Sequence, residues 1–130
     1  MATFRQLTGV LAPVFAVALL AGAAPAAPPS ISASPNPVHF GQKLTVTGKG
    51  WPVIEFCSRT VRLSLRSDQN ALHIGSTKVG SRGRLRFEWR PRRSQVGAGR
   101  WLLRARMNCE SGKDGTAVPV RASLRLRILP

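Results

Sequence analysis

The sequence lacks tyrosine and contains only two histidines, two cysteines and five acidic residues. Hydrolases need a nucleophile with a base, and glycosidases need two carboxylates in one cleft. Asp68 and His73 are close in sequence, but no serine stands in a G-x-S-x-G context. Phosphate-binding glycine loops and calcium-loop patterns are also absent. We therefore expect no enzymatic activity, no catalytic residue and no cofactor.

The N-terminal segment has the three parts of a secretory signal peptide. Arg5 is its one charge, an apolar run follows over residues 9–20, and Ala24-Pro25-Ala26 provides an A-x-A cleavage signal. We therefore predict a signal peptide at residues 1–26, a mature domain at residues 27–130, and a secreted or cell-surface protein. The alternative is a membrane anchor formed by the uncleaved signal segment, although its Ala-, Gly- and Pro-rich second half is a poor transmembrane helix.

The two cysteines are Cys57 and Cys109. Outside the cytoplasm such a pair is normally oxidised. We therefore predict a disulfide that closes a loop of 52 residues. A metal site made of these cysteines with His39 and His73 is the competing interpretation, but the four residues do not have the spacing of zinc motifs. We therefore expect no metal.

The rest of the chain alternates apolar and polar residues with period two, which indicates half-buried antiparallel strands. Turn signals rich in Gly, Pro and Asn separate these segments. The pattern predicts strands at residues 30–34, 44–47, 61–66, 72–79, 84–90, 101–107 and 122–128. About seven short strands in about 100 residues point to an all-β sandwich, with a closed barrel as the alternative.

Three segments carry a resemblance to a known family: residues 34–51, the hairpin at 80–85 and the strand at 99–105. They resemble the immunoglobulin-like domains of exported bacterial proteins, notably actinobacterial ones. This resemblance implies an immunoglobulin-like antiparallel β-sandwich over about residues 30–129. It leaves the function open, because such domains serve as spacers, adhesion modules and binders. The chain departs from antibody-type domains in having no tyrosine for a tyrosine corner.

The excess of basic residues is the strongest indication of a binding partner in this sequence, and it gives the chain a formal net charge of +15. In the predicted strand phases, Arg84, Arg86 and Arg90 lie on the outer face of one sheet. Guanidinium groups suit phosphate, carboxylate and sulfate, so we interpret the arginines of the other sheet as a polyanion-binding surface. The alternative is that the basic charge is only a solvated surface. The predicted polyanion-binding residues are Arg62, Arg66, Arg104, Arg106, Arg125 and Arg127.

The predicted function is that of an exported, non-enzymatic binding or structural module of the cell surface or the medium. Its expected partners are anionic envelope polymers or another surface protein, and the membrane only if the signal segment is uncleaved. The alternatives are a protein-interaction or adhesion module and a small-ligand carrier. Intracellular nucleic acid is not expected, because the signal segment directs the chain out of the cytoplasm and the tryptophans lack a base-stacking motif.

The three tryptophans have different expected positions. Trp89 and Trp101 share the inward phase of their strands, so we expect them in the core. Trp51 follows a strand and precedes the apolar residues Val53 and Ile54. We expect Trp51 to be partly exposed at a loop tip.

Overall fold

The computed structural model describes residues 28–111 and 115–130. The signal peptide predicted at residues 1–26 lies outside the described residues. Those residues form eight β-strands, so the fold is all-β, as the period-two pattern predicts. The strands are β1 Ser30–Ser34, β2 Val38–His39, β3 Leu44–Lys49, β4 Cys57–Arg66, β5 Ala71–Lys78, β6 Leu85–Trp89, β7 Gly99–Glu110 and β8 Ala117–Leu129.

The strands form two sheets rather than one closed barrel. The smaller sheet has the order β1-β3-β6, and the larger sheet has the order β2-β8-β7-β4-β5. Neighbouring strands are antiparallel, except that β2 runs parallel to β8. One of the two sheets curls into a half-barrel. The larger sheet owes its size to the long hairpin of β7 and β8.

The structure differs from the predicted fold in two details. The sequence pattern predicts about seven strands, all antiparallel, whereas the described residues form eight and one pair is parallel. The additional strand is β2, in which Val38 pairs with Ile128 and His39 pairs with Leu129. Two residues between a proline and a glycine turn are too few to show a period-two pattern. Their strand conformation is decided by the neighbouring end of β8.

The core lies between the sheets and follows from the alternation of side chains. In β4, Val61, Leu63 and Leu65 are buried, whereas Arg62 and Arg66 are exposed. The same phase in β7 and β3 buries Leu103, Ala105, Met107, Leu44 and Val46. A shift of one residue would turn arginines into the core, so burial specifies the phase of each strand.

The expectation for Trp51 is wrong. Its side chain is only 3% exposed, and its Nε1–H donates a hydrogen bond of 3.4 Å to the carbonyl oxygen of Ser30. Gly83 lies against the backbone of Trp51: its φ is +77°, and an added Cβ would lie 2.6 Å from the Trp51 carbonyl oxygen. Trp89 and Trp101 are half-buried and pack against the core.

The predicted disulfide is confirmed. Cys57 is the first residue of β4 and lies opposite Cys109 of β7, with 2.04 Å between the two Sγ atoms. The bond therefore joins neighbouring strands of the larger sheet. A structural disulfide is typical of proteins outside the cytoplasm, which agrees with the predicted secreted or cell-surface location.

Candidate anion-binding site

The outer face of the larger sheet is rich in arginine. Residues opposite each other on paired antiparallel strands point to the same side of the sheet. The register of β4, β7 and β8 therefore brings arginines from all three strands to one surface, which we call the Arg face. Within residues 28–111 and 115–130 it comprises Arg62, Arg66, Arg100, Arg104, Arg106, Arg121, Arg125 and Arg127.

All six arginines predicted as polyanion-binding residues lie on the Arg face. Sequence reasoning missed Arg100 and Arg121, because the predicted strands begin one residue after each of them. Both residues continue the alternation of their strands, Arg100 in phase with Arg104 and Arg121 in phase with Arg125. Extending each strand by that alternation would have found both.

The arginines of the Arg face are close neighbours. Arg106 lies between Arg62 of β4 and Arg121 of β8 in the strand register, and Arg100 lies opposite Arg127. Neighbouring strands are about 4.8 Å apart, and like charges directly opposite each other destabilise a sheet. The surface therefore concentrates positive charge at some cost to stability.

Arg104 occupies the middle of the Arg face. Its side chain is partly buried, and Ser64 and Ser123 lie on either side of it in the register. Burial, and then the charges of its neighbours, lower the pKa of Arg104; these neighbours are Arg66, Arg121 and Arg106. Among the described residues, its Nε is the one buried side-chain nitrogen or oxygen without a hydrogen-bond partner.

Among the described residues, no acidic side chain forms an ion pair with the Arg face. The ion pairs among the described residues are Lys43–Glu88 at 3.5 Å and Arg86–Glu88 at 3.1 Å. Glu88 belongs to β6, on the smaller sheet. Asp68 lies at one margin of the Arg face and Glu110 ends β7, but in the described part of the chain neither forms an ion pair with an arginine.

Two depressions mark the Arg face. The first has a volume of about 960 Å³ and lies where β7 begins; we call it the Trp101 depression. The second has a volume of about 630 Å³ and lies towards the other end of β7; we call it the His73 depression. Arg66 and Arg104 line both depressions. The two therefore meet at the centre of the face.

The linings of the two depressions differ. The Trp101 depression is lined by arginines together with the apolar residues Trp101, Leu102 and Leu126, with Asp68 at the margin. The His73 depression is polar throughout and is lined by Ser58, Thr60, Arg62, Ser64, Arg66, His73, Arg104, Arg106 and Asn108.

The other candidate residues are dispersed. Arg86 is exposed on the smaller sheet, as predicted, and donates hydrogen bonds to Glu88. His39 Nδ1 lies 3.2 Å from the Pro130 carbonyl oxygen, near the end of β8. His73 instead belongs to β5. Within the described ranges, no three His, Cys, Asp or Glu residues lie close enough to hold a metal ion. The arrangement can supply many guanidinium N–H donors to an anionic ligand.

Comparison with known proteins identifies no relative: no protein-family model matches the chain, and no curated protein is significantly similar to it in sequence. In the part of the chain that the structure describes, we find no helix with the length and apolar character needed to cross a membrane.

Proposed function

We propose that this protein is an exported, non-enzymatic module that binds anionic polymers through the Arg face. The observation that carries this proposal is the grouping of eight arginines on one sheet face without an ion-paired acid among the described residues. Such a surface needs counter-anions, and a polymer supplies many of them at once because its charges are linked.

The shape of the Arg face supports a polymer as the ligand. The two depressions meet at Arg66 and Arg104, so an extended chain can run across the sheet and contact both. Each contact of a guanidinium with an exposed anion is weak, but contacts along one chain act together. Acidic envelope polymers are the expected natural partners, and another surface protein is the alternative.

The proposed architecture is an immunoglobulin-like sandwich. The resemblance of residues 34–51, 80–85 and 99–105 to that family supports it, as does the division of the strands between two sheets. The disulfide joins two strands of one sheet, whereas the disulfide of antibody domains joins the two sheets. The module therefore differs from antibody-type domains in how it is cross-linked.

Export is part of the same proposal. Arg5, the apolar run at residues 9–20 and the signal Ala24-Pro25-Ala26 support cleavage after Ala26. The disulfide supports a location outside the cytoplasm. Measuring the intact mass of the exported protein tests the cleavage: we expect a chain that begins at Ala27, and a chain that retains Met1 in the membrane fraction would contradict it.

A salt titration tests the binding. We expect the full chain to bind heparin, with an association constant that falls steeply as salt concentration rises, because salt opposes counterion release. Replacing Arg104, Arg106, Arg125 and Arg127 with Gln should weaken binding. For single-stranded nucleic acids, each contact contributes about 0.7 to the slope of log association constant against log salt concentration. Loss of four contacts should therefore reduce the magnitude of this slope by about 3.

A matched variant controls for net charge. Lys49, Arg82, Arg84 and Arg92 lie off the Arg face and are exposed. Replacing these four with Gln removes the same charge and should change the slope much less. An equal effect of the two quadruple variants would show that the charge is diffuse. Failure of the parent chain to bind heparin at low salt would overturn the proposal.

A protein-interaction module is the second candidate function. Ile54, Phe56 and Val118 are the exposed large hydrophobic residues of the described chain, between 47% and 57% exposed. Phe56 precedes Cys57, and Val118 lies opposite Cys109, so both flank the disulfide. A protein that co-purifies with the parent chain and not with the Ile54→Ser, Phe56→Ser variant would favour this function.

A further inference from the structure

The His73 depression differs from the Trp101 depression in presenting hydrogen-bond donors on all sides. Its lining combines four arginines and His73 with hydroxyl and amide groups, and no carboxylate of a described residue lines it. The Trp101 depression includes Asp68 and apolar side chains. A ligand of the His73 depression must therefore present acceptor oxygens and negative charge. The arginines are Arg62, Arg66, Arg104 and Arg106.

Arg104, which lines the depression, has an unsatisfied donor. Its Nε is buried and has no hydrogen-bond partner among the described residues. A buried donor without an acceptor is costly. Ser64 lies beside Arg104 in the register and lines the same depression, so both residues border the depression. An oxyanion seated against Arg104 can accept from both residues.

We propose that the His73 depression is a subsite for a tetrahedral oxyanion, a phosphate or sulfate group carried by the anionic polymer. This inference rests on the proposed function of the Arg face. The donors come from three strands, with Arg62 on β4, Arg104 on β7 and His73 on β5. A tetrahedral oxyanion directs its oxygens to several sides, so donors arriving from several strands can each find an acceptor.

A carboxylate fits the same depression less well. Its two oxygens lie in one plane, so the planar fork of a single guanidinium can satisfy both of them. The remaining arginines of the depression would then stay without an anionic partner. The grouping of four guanidinium groups around one depression therefore favours phosphate or sulfate over carboxylate.

The experiment compares three polymers matched in number of charges. Binding of the oxidised full chain to inorganic polyphosphate, dextran sulfate and polyglutamate is measured by calorimetry at one salt concentration. We expect polyphosphate or dextran sulfate to bind about tenfold or more tightly than polyglutamate, the difference that one additional charge-assisted hydrogen bond provides. Whichever of the two binds more tightly identifies the group as phosphate or sulfate.

Charge-preserving variants assign the preference to the depression. Arg104→Lys and Arg62→Lys keep the charge but lose the planar fork, so each should lower the preference over polyglutamate by about tenfold. Arg84→Lys, away from the Arg face, is the matched control and should leave the preference unchanged. Arg62 is exposed, so its variant tests the subsite even if Arg104→Lys fails to fold.

The outcomes separate this inference from the proposed function. Equal binding of the three polymers, or a preference that survives both lysine variants, would overturn the subsite and leave polyanion binding by the Arg face intact. Failure of all three polymers to bind would overturn the proposed function and the subsite together.

Discussion

The Oδ1 atom of Asn36 accepts a hydrogen bond of 3.2 Å from the backbone N–H of Arg127, 91 residues further along the chain. The Nδ2 of the same side chain donates a hydrogen bond of 2.9 Å to the backbone carbonyl oxygen of Arg125. The Asn36 side chain thus makes the backbone hydrogen bonds that a neighbouring strand would make at the edge of β8. This contact holds the backbone from which two arginines of the Arg face project.

Replacing Asn36 with Ala removes both hydrogen bonds. We expect the free energy of unfolding to fall by about 1 kcal/mol, because Asn36 is exposed and water replaces part of each bond. Urea unfolding measures this change. Gln69→Ala, at an exposed loop position, is the control and should have little effect. A variant as stable as the parent chain would mean that the Asn36 contact does not stabilise the edge.

Replacing both cysteines with Ala should destabilise the protein. The disulfide closes a loop of 52 residues, and the chain-entropy model assigns such a loop about 4 kcal/mol, of which measured values often reach only a part. Thermal unfolding of the variant and of the parent chain, with and without reductant, checks this. Reductant should lower the midpoint of the parent chain alone, and a variant whose midpoint equals that of the oxidised parent chain would contradict the stabilising role.

Replacing Gly83 with Ala tests the close contact between Gly83 and the Trp51 backbone. The φ of Gly83 is +77°, and an added Cβ would lie 2.6 Å from the Trp51 carbonyl oxygen, a backbone atom that cannot swing away. We expect a loss of about 2 kcal/mol or more in unfolding free energy. Gly97→Ala, where an added Cβ meets no atom within 4 Å, should be nearly neutral. Similar losses in the two variants would disprove the close contact.

The stability of the protein should depend on Glu88 in a pH-dependent way. The hydrogen bond from Arg86, and then the charge of Lys43, lower the pKa of Glu88 below its ordinary value of 4.5. A lowered pKa stabilises the folded chain above that value, and the stabilisation is lost as the pH falls through the folded pKa. Glu88→Gln should therefore be less stable than the parent chain at neutral pH.

Urea unfolding at neutral pH and at a pH well below 4.5 measures this dependence. The difference between the parent chain and Glu88→Gln should shrink at the lower pH, where Glu88 is protonated. Glu55→Gln, an exposed position, controls for the general effect of removing an acid. A difference that stays constant with pH would show that the ion pairs of Glu88 do not stabilise the fold.

The sequence predicted side-chain positions best in strands with alternating apolar and polar residues. In β4 and β7 the apolar residues must face the core and the arginines must face water, so Leu63, Leu103, Arg62 and Arg104 could be placed from the sequence alone. The disulfide also followed from the sequence, because the predicted export and a single pair of cysteines leave one pairing. These conclusions needed only local patterns and the chemistry of each residue type.

Only the tertiary structure decided the features that depend on residues distant in sequence. β2 is a strand because the end of β8 lies beside it, and Trp51 is buried because its indole lies against Gly48 and against Ser30 of β1, 21 residues earlier in the chain. The lengths of β7 and β8 were also decided by the fold, because the two strands pair beyond their predicted ends. The physical reason is that alternation is a property of neighbouring residues, whereas strand ends and loop burial depend on what the fold brings alongside them.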